Sequence, residues 1–167
     1  MYDELTEVDI RKMEEEIRYR RVELGPQLLA EMKRTREFGD LSENAEYKEA
    51  KREKRRNDSR IRYLENMIRT ANVIQTDAKD GVVGLFDKVT LLNERTGEER
   101  TIVLVTTLRQ NALLGYISKE SPLGLAIMGS RVGDRVLIKV NERMSYYVKI
   151  LNVVHGEDDE SLPISGY

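Results

Sequence analysis

Two carboxylates, Asp40 and Glu43, lie in a short acidic segment that separates two long stretches of helical periodicity. The segment covers residues 39–47 and has the sequence Gly-Asp-Leu-Ser-Glu-Asn-Ala-Glu-Tyr. Its glycine favours the end of the first helix, and Asp40 or Ser42 is a suitable N-cap for the second. The two acids therefore occupy the turn of a helical hairpin, where no protein core requires them. Such a pair indicates a protein that delivers acid groups to a site on another molecule.

Carboxylates in this arrangement suit a hard divalent cation. Mg²⁺ takes oxygen ligands, keeps several waters and often uses one or two protein carboxylates together with phosphate oxygens. Asp40 and Glu43 alone make a weak, open site, and they fit better as half of a two-metal phosphodiester site completed by a partner. In the alternative interpretation Asp40 and Ser42 only cap the second helix, and the negative charges of Glu43 and Glu46 interact favourably with the positive N-terminal end of its dipole. The residues alone leave both interpretations open.

A basic run follows the acidic turn directly, although the hairpin as a whole carries as many acidic as basic side chains. Its members are Lys48, Lys51, Arg52, Lys54, Arg55 and Arg56. One interpretation is a solvated helix face with ion pairs at i, i+4 spacing. The other is a patch that guides a phosphate backbone toward the turn. The position behind the acids favours the second interpretation.

Composition excludes several classes of function. The formal net charge of −2 argues against a protein that coats nucleic acid through bulk positive charge. The absence of cysteine excludes disulfides, thiolate nucleophiles and cysteine-based zinc sites. With His155 as the only histidine, schemes of the Ser-His-Asp or Cys-His type have no support. No apolar run is long enough for a membrane span and the start does not resemble a signal peptide, so we expect a cytoplasmic protein.

Two long helices must position the acidic turn. Apolar residues recur at helical spacing, at Ile10, Met13, Ile17, Leu24, Leu28 and Met32 in the first arm and at Ile61, Leu64, Ile68 and Ala71 in the second. Thr6 is expected to cap the first helix with Asp9 as its capping-box partner, and Pro26 to bend that helix. The prediction is an antiparallel coiled-coil hairpin over residues 1–76.

The second part of the chain has the pattern of strands. β-Branched residues alternate or cluster over 82–83, 88–92, 101–105, 116–117, 135–140 and 145–154, with glycine-containing turns between several of them. We therefore predict a small β-rich domain over residues 77–155 and an α+β fold class for the chain. The acidic tail over residues 156–167 has no apolar pattern and is predicted to be disordered.

Three motifs carry a resemblance to a known family. They are the tip segment at 39–47, the opening Leu5-Thr6 followed by Met-Glu-Glu-Glu-Ile at 13–17, and Ile-Ser-Lys-Glu-Ser-Pro-Leu-Gly at 117–124 with Gly129 and Gly133-Asp134. Over about residues 5–154 the chain resembles the bacterial Gre family of transcript cleavage factors, and is closest to the GreA members of that family.

The resemblance implies an accessory factor and not an enzyme in its own right. Members insert the coiled coil into the secondary channel of RNA polymerase, and their C-terminal domain, of FKBP-like fold, docks at the channel rim. The tip acids help to hold a second Mg²⁺ in the polymerase active site and to activate water, so that the polymerase cleaves its own backtracked transcript. The implied partners are bacterial RNA polymerase and the 3′ end of backtracked RNA, the implied Mg²⁺ is shared with the polymerase, and the factor is expected to be a monomer.

The same resemblance assigns roles to residues of this chain. Asp40 and Glu43 become the metal-organising pair, with Ser42 and Asn44 as supporting groups beside them. Lys51 falls in the basic patch that contacts the extruded RNA, with Lys48, Arg52 and Arg55 as candidate neighbours. Ser121 and Pro122 fall in the loop that members use against the polymerase, and Leu125 stands where the family often has a basic residue.

Two other functions fit the same hairpin. One is a channel-binding inhibitor of the same fold, whose tip acids are typically altered or enriched. The other is a coiled-coil interaction module with no part in chemistry. The intact Asp40 and Glu43 pair favours cleavage stimulation over both, while the dense basic run after the tip is a feature expected more of GreB-like RNA handling.

Overall fold

The computed structural model of the chain describes residues 3–39, 44–76 and 79–166. These residues form two units, one made of Ile10–Ala71 and the other of Asp3–Asp9 together with Asn72–Gly166. The first unit is helical and the second contains a five-stranded sheet. The predicted α+β class is therefore confirmed.

The first arm of the hairpin is one uninterrupted helical run. It consists of helix α1 (Glu7–Tyr19), a π-helical turn (Arg20–Leu24) and helix α2 (Gly25–Arg36). The predicted capping box begins it, because the Asp9 amide donates to Thr6 Oγ1 at 3.3 Å and the Thr6 amide donates to Asp9 Oδ2 at 3.0 Å. These two bonds satisfy backbone groups that a helix start otherwise leaves unpaired.

The π-helical turn is the structural response to Pro26. Proline has no N–H to donate to the carbonyl one α-helical turn earlier, and the Gly25 amide bonds the Arg20 carbonyl, five residues back. A Cβ on Gly25 would lie 2.8 Å from that carbonyl oxygen, so glycine permits the close approach. The sequence predicted a bend here, and the structure has an altered hydrogen-bond register within a continuous helix.

The second arm is helix α3 (Ala45–Thr70). Its buried residues are Ala50, Asn57, Arg60, Ile61, Leu64 and Met67. The predicted seam positions Ile61 and Leu64 are buried, and Ile68 is half-buried. Ala50, Asn57 and Leu64 follow one another at a spacing of seven, which is the repeat of a coiled-coil seam.

Polar contacts fix the register of the two arms. Asn57 donates through Nδ2 to the Arg20 carbonyl at 3.2 Å and accepts from Arg20 Nη1 at 3.0 Å. Glu16 accepts from Arg60 at 2.8 and 3.2 Å and from Arg20 at 2.8 Å. A buried asparagine in a seam favours one register because any slip leaves its amide unpaired.

The sheet unit begins with a short parallel pair, strand β1 (Glu4–Leu5) on strand β2 (Asn72–Val73). The five-stranded sheet contains β3 (Lys88–Asn93), β4 (Glu99–Val105), β5 (Tyr116–Ser118), β6 (Arg135–Lys139) and β7 (Ser145–Val154). Their order is β5-β4-β3-β7-β6, and only the β4–β5 pair is parallel. The strands coincide with the β-branched segments of the sequence, except that Val82 forms a single bridge to Arg131.

The core of this unit lies on one face of the sheet. Alternate residues of the strands are buried there, as the pleat requires. The cluster contains Val83, Val89, Leu91, Ile102, Leu104, Ile117, Ile127, Ile138, Val148 and Ile150. Ile127 comes from helix α4 (Pro122–Ile127), which follows β5. Among the described residues, no helix has both the length and the apolar character that crossing a bilayer requires.

The acidic tail differs from the disordered segment expected from its composition. The Arg109 side chain donates to the Asp159 carbonyl at 2.7 Å and to Asp158 Oδ1 at 2.6 Å. Ser165 donates to the Leu108 carbonyl through its amide at 2.6 Å and its hydroxyl at 2.9 Å. Polar bonds to the turn at 107–109, and not a buried apolar face, hold the segment in place. Its order therefore left no apolar periodicity in the sequence.

The ion pairs of Glu16 give a test of what stabilises the hairpin. Partial burial raises the pKa of Glu16, but the hydrogen bonds and charges of Arg60 and Arg20 outweigh it and hold the pKa below its ordinary value of 4.5. A lowered folded-state pKa gives stability that is present above the unfolded pKa and lost as the pH falls through the folded one. We expect Glu16→Gln to lower the free energy of unfolding at pH 7 by about 1–3 kcal/mol.

The measurement is urea unfolding followed by circular dichroism between pH 7 and pH 3. The difference between wild type and Glu16→Gln should shrink as the pH falls below about 4.5, where the unfolded chain takes up its proton, and disappear below the lowered pKa of the folded state. Glu14→Gln, at an exposed position of the same helix, is the matched control and should change little. A difference that stays constant over the whole pH range would contradict the ion-pair explanation.

Candidate functional site at the hairpin tip

Asn44 is the N-cap of α3. Its Oδ1 accepts a hydrogen bond from the Tyr47 amide at 3.0 Å, and its backbone is extended. This corrects the expectation that Asp40 or Ser42 caps the second helix. Asparagine ranks with aspartate and serine among the strongest N-caps, so the helix start is satisfied without either of those residues.

The same amide joins the two arms. Asn44 Nδ2 donates to the Thr35 carbonyl in the last turn of α2 at 2.6 Å, and Thr35 is almost fully buried. The Thr35 hydroxyl donates to carbonyls of its own helix, and the Phe38 amide donates to the Thr35 carbonyl at 3.3 Å. Asn44 therefore closes the hairpin on both sides of the segment that contains the acids.

The acid pair itself lies outside the described residues, together with Leu41 and Ser42. The roles assigned to Asp40, Glu43 and Ser42 stay predictions. The structure describes the residues on either side of 40–43. Gly39 has φ +105°, a conformation that favours glycine, and Asn44 is the N-cap of α3. Among the described residues, no three His, Cys, Asp or Glu side chains are grouped so that they could hold a metal ion.

Arg34 is a charged residue beside the tip that sequence reasoning missed. Its guanidinium bonds Glu31 at 2.6 Å, approaches Glu46 at 3.9 Å and lies 5.3 Å from the centroid of the Phe38 ring. The hydrogen bond from Arg34 lowers the pKa of Glu31. Glu46 remains exposed, and its contact with Arg34 is a weak one at the surface. The signal in the sequence was the i, i+3 spacing of Glu31 and Arg34.

The basic run divides into paired and unpaired side chains. Arg52 pairs with Glu49 at 3.0 Å, Lys54 with Asp58 at 2.9 Å and Arg56 with Glu53 at 2.7 Å. Lys51 and Arg55 are exposed, and neither pairs with an acidic side chain in the part of the chain that the structure describes. The interpretation as an ion-paired, solvated face therefore fits Arg52, Lys54 and Arg56, and the phosphate-guiding patch stays a prediction for Lys51 and Arg55.

Lys48, Lys51 and Arg55 form a basic stripe. Their spacing of three and four places them on one face of α3, and all three are exposed. Seven residues of helix separate the first from the last, which is about 10 Å along the axis. Arg52 has the same helical spacing from Lys48 and Arg55, but it differs from Lys51 and Arg55 in being paired with Glu49. The arrangement can attract a polyanion along the side of the hairpin near its tip.

The predicted docking loop is built around Ser121. Its Oγ accepts from the Gly124 amide at 3.0 Å and donates to the Ser118 carbonyl at 2.7 Å, so it caps α4. A Cβ on Gly124 would lie 2.2 Å from the Ser118 carbonyl oxygen, which explains the glycine. Pro122 and Leu125 remain exposed on this short helix. Their contact with a polymerase stays a prediction.

Comparison with known proteins gives matches over both units. The family model for the N-terminal domain of transcription elongation factors matches residues 4–73, and the GreA/GreB C-terminal model matches residues 78–155. Transcription elongation factor GreA of Bacillus licheniformis is 36% identical over 149 residues, which cover 87% of this chain and 94% of that protein. The GreA of Geobacillus kaustophilus is 38% identical, with 81% of this chain and 86% of that protein covered.

Solved structures also match. The crystal structure of GreA factor homolog 1 of Thermus thermophilus covers 93% of this chain and 100% of that chain, at 25% identity and a TM-score of 0.42.

The double role of Asn44 can be tested with two substitutions. Asn44→Ala removes both the cap and the bond between the arms, and we expect a loss of about 1–2 kcal/mol in the free energy of unfolding. Asn44→Asp keeps a capping oxygen but removes the donor to Thr35, so its loss should be smaller. The measurement is urea unfolding at high salt, which screens the added charge at the helix N-terminus.

Each variant checks one bond. If Asn44→Asp were as unstable as Asn44→Ala, the cap would not offset the loss of the bond to Thr35 and the repulsion between the new carboxylate and the Thr35 carbonyl. If it were as stable as wild type, the bond to Thr35 would contribute nothing.

Proposed function

Because the chain belongs to the GreA/GreB family of transcription elongation factors, we propose that it stimulates RNA polymerase to cleave backtracked RNA. In this proposal the hairpin enters the secondary channel of the polymerase as a monomer, and the hydrolytic activity belongs to the polymerase. The compartment that this function requires is the bacterial cytoplasm.

One observation carries the part assigned to the acids. The alternative to a chemical role was that the acidic turn only caps the second helix, and Asn44 supplies that cap. Glu46, the next acid along the chain, lies within reach of Arg34. Asn44 thus takes the capping role from Asp40 and Ser42, and we propose that Asp40 and Glu43 serve the chemistry instead.

The carboxylates of Asp40 and Glu43 suit Mg²⁺, because that ion prefers carboxylate oxygens and commonly uses only one or two of them. Asp40 and Glu43 would hold it jointly with groups of the polymerase and of the RNA. When bound, such an ion stabilises negative charge on the phosphate and lowers the pKa of a coordinated water. Asn44 acts on the arms and not on the ion, since it holds the two ends of the acidic segment next to each other.

The basic stripe provides the second half of the proposal. Lys51 and Arg55 are exposed and retain their full charge because no acidic partner among the described residues neutralises them. Single-stranded RNA presents a row of phosphates, and cations that contact it release counterions. We assign to Lys48, Lys51 and Arg55 the attraction of the extruded 3′ segment of the RNA.

Docking of the sheet unit is assigned to the exposed surface of α4. Ser121 is occupied in capping that helix, and so Pro122 and Leu125 supply the surface that meets the polymerase. With leucine at position 125 this surface is apolar, and its contact is expected to depend less on salt than that of the basic stripe.

Cleavage of RNA in stalled, backtracked polymerase complexes tests the acids. Asp40→Asn and Glu43→Gln each remove one charge at nearly constant size, and each should slow RNA shortening on the order of 100-fold, the cost of a lost electrostatic contact at a reacting centre. Glu46→Gln is the matched control, and it should cleave at nearly the wild-type rate. Competition binding to the polymerase should be unchanged for all three variants.

Three outcomes would overturn the proposal. Cleavage that persists in both Asp40→Asn and Glu43→Gln would remove the acids from the chemistry. Hydrolysis of RNA by the isolated chain would show that no polymerase is needed. Inhibition of the complex without shortening of its RNA would favour a channel-binding inhibitor. The assay is run at several Mg²⁺ concentrations, so that a weakened metal site is distinguished from a missing one.

Paired and unpaired cations of α3 give a test of the basic stripe. Lys51→Ala and Arg55→Ala should each slow cleavage at limiting factor concentration, and each should reduce the salt dependence by about 0.7 in the log–log slope for single-stranded RNA. Arg52→Ala and Arg56→Ala remove the same charge from neighbouring positions whose cations are already paired. Equal effects in the two sets would show that only net charge matters and that the stripe is not a binding site.

A further inference from the structure

Arg109 is a cation with no exposed surface in the sheet unit. It lies in the short turn Thr107–Arg109, and the exposed fraction of its side chain is 0%. Its Nε donates to Asp9 Oδ1 at 2.8 Å, Nη1 to the Asp159 carbonyl at 2.7 Å and Nη2 to Asp158 Oδ1 at 2.6 Å. A buried guanidinium is tolerated only when its donors are satisfied in this way.

Two of these three acceptors come from the tail. We name residues 156–166 the tail strap, and it lies outside both segments that match the family models. The strap passes so close to Phe86 that a Cβ on Gly156 would lie 2.3 Å from the Phe86 carbonyl oxygen. Ser165 fixes its far end on the Leu108 carbonyl. The strap is therefore attached at both ends and in the middle.

The third acceptor belongs to the start of the first helix. Asp9 uses Oδ2 to hold the Thr6 amide in the capping box and Oδ1 to hold Arg109. The Thr6 hydroxyl donates in turn to Asp158 Oδ2 at 2.6 Å. Thr6, Asp9, Arg109 and Asp158 thus form a closed ring of hydrogen bonds in which each carboxylate has both oxygens occupied.

We propose that the tail strap is an intramolecular clasp that holds the root of α1, residues 3–9, on the sheet unit. Asp158 is the closing element, since it is the group that contacts both the capping threonine and the buried arginine. The first turn of a helix is normally its most easily frayed part, because its amides lack intrahelical partners. Here its order depends on a residue 152 positions away in sequence.

The burial of the ring distinguishes it from an ordinary surface ion pair. Exposed pairs contribute little because water competes for both partners. In the ring, Asp9 and Arg109 have side chains that are 0% exposed and Asp158 is 13% exposed. If Asp158 is removed, Arg109 and Thr6 each lose a partner at a place that water does not freely reach, and the root of α1 is expected to open.

Hydrogen exchange in the full-length chain tests the clasp without any polymerase. In Asp158→Ala, the amides of residues 5–9 should exchange roughly tenfold faster or more, the change expected when a charge-assisted hydrogen bond is lost. Glu157→Gln is the control for charge, because Glu157 is the exposed neighbour in the same strap. Ile150→Val is the control for general loss of stability, because Ile150 lies in the core of the sheet unit.

Asp158→Asn, which loses the charge but keeps its shape, is the second variant if Asp158→Ala fails to fold, and its exchange should be intermediate. Thr6→Val combined with Asp158→Ala should accelerate exchange by less than the product of the single effects, because both remove the same contact. Unchanged protection of residues 5–9 in both Asp158 variants would overturn the proposal. Equal acceleration in β3 and β4, as in Ile150→Val, would also overturn it.

Discussion

A helical hairpin must satisfy the backbone groups that its two helices leave unpaired where the chain reverses, and everything at this tip depends on that requirement. The side chain of Asn44 bonds backbone groups of both arms, because its oxygen accepts from the Tyr47 amide and its nitrogen donates to the Thr35 carbonyl. Because Asn44 supplies both bonds, the cap of α3 requires neither Asp40 nor Ser42. The division between an amide that shapes the turn and carboxylates that are available to a partner is the physical basis of the proposed function.

Charge pairing makes a similar division along α3. Cations of the same kind follow one another on this helix. Arg52, Lys54 and Arg56 are bound to neighbouring acids, while Lys51 and Arg55 have no acidic partner within residues 3–39, 44–76 and 79–166. The paired cations support the solubility of the helix, and the exposed Lys51 and Arg55 can attract a polyanion. Because the hairpin as a whole is neutral, its net charge does not reveal the local positive charge of Lys51 and Arg55.

Features that depend on local spacing were predictable from the sequence. The capping box of Thr6 and Asp9 and the seam at Ile61 and Leu64 follow from rules that act within one or two helical turns. Features that depend on the path of the chain were not. The sequence analysis assigned the cap of the second helix to Asp40 or Ser42, whereas the backbone places it at Asn44. The tail strap was missed because its partner Arg109 lies 49 residues from Asp158, and no local pattern pairs them.

The π-helical turn at Arg20–Leu24 has a consequence for how such hairpins change length. An extra residue in a regular helix rotates every later residue by about 100° around the helix axis. The buried face of the helix after the insertion would then no longer contact the second arm. A π-helical turn absorbs that residue locally, because one wider loop of backbone accommodates it. Met13 and Ile17 before the turn and Thr35 after it are all buried. The arm therefore contains an insertion point at which its length can vary by one residue while the packed faces on either side are preserved.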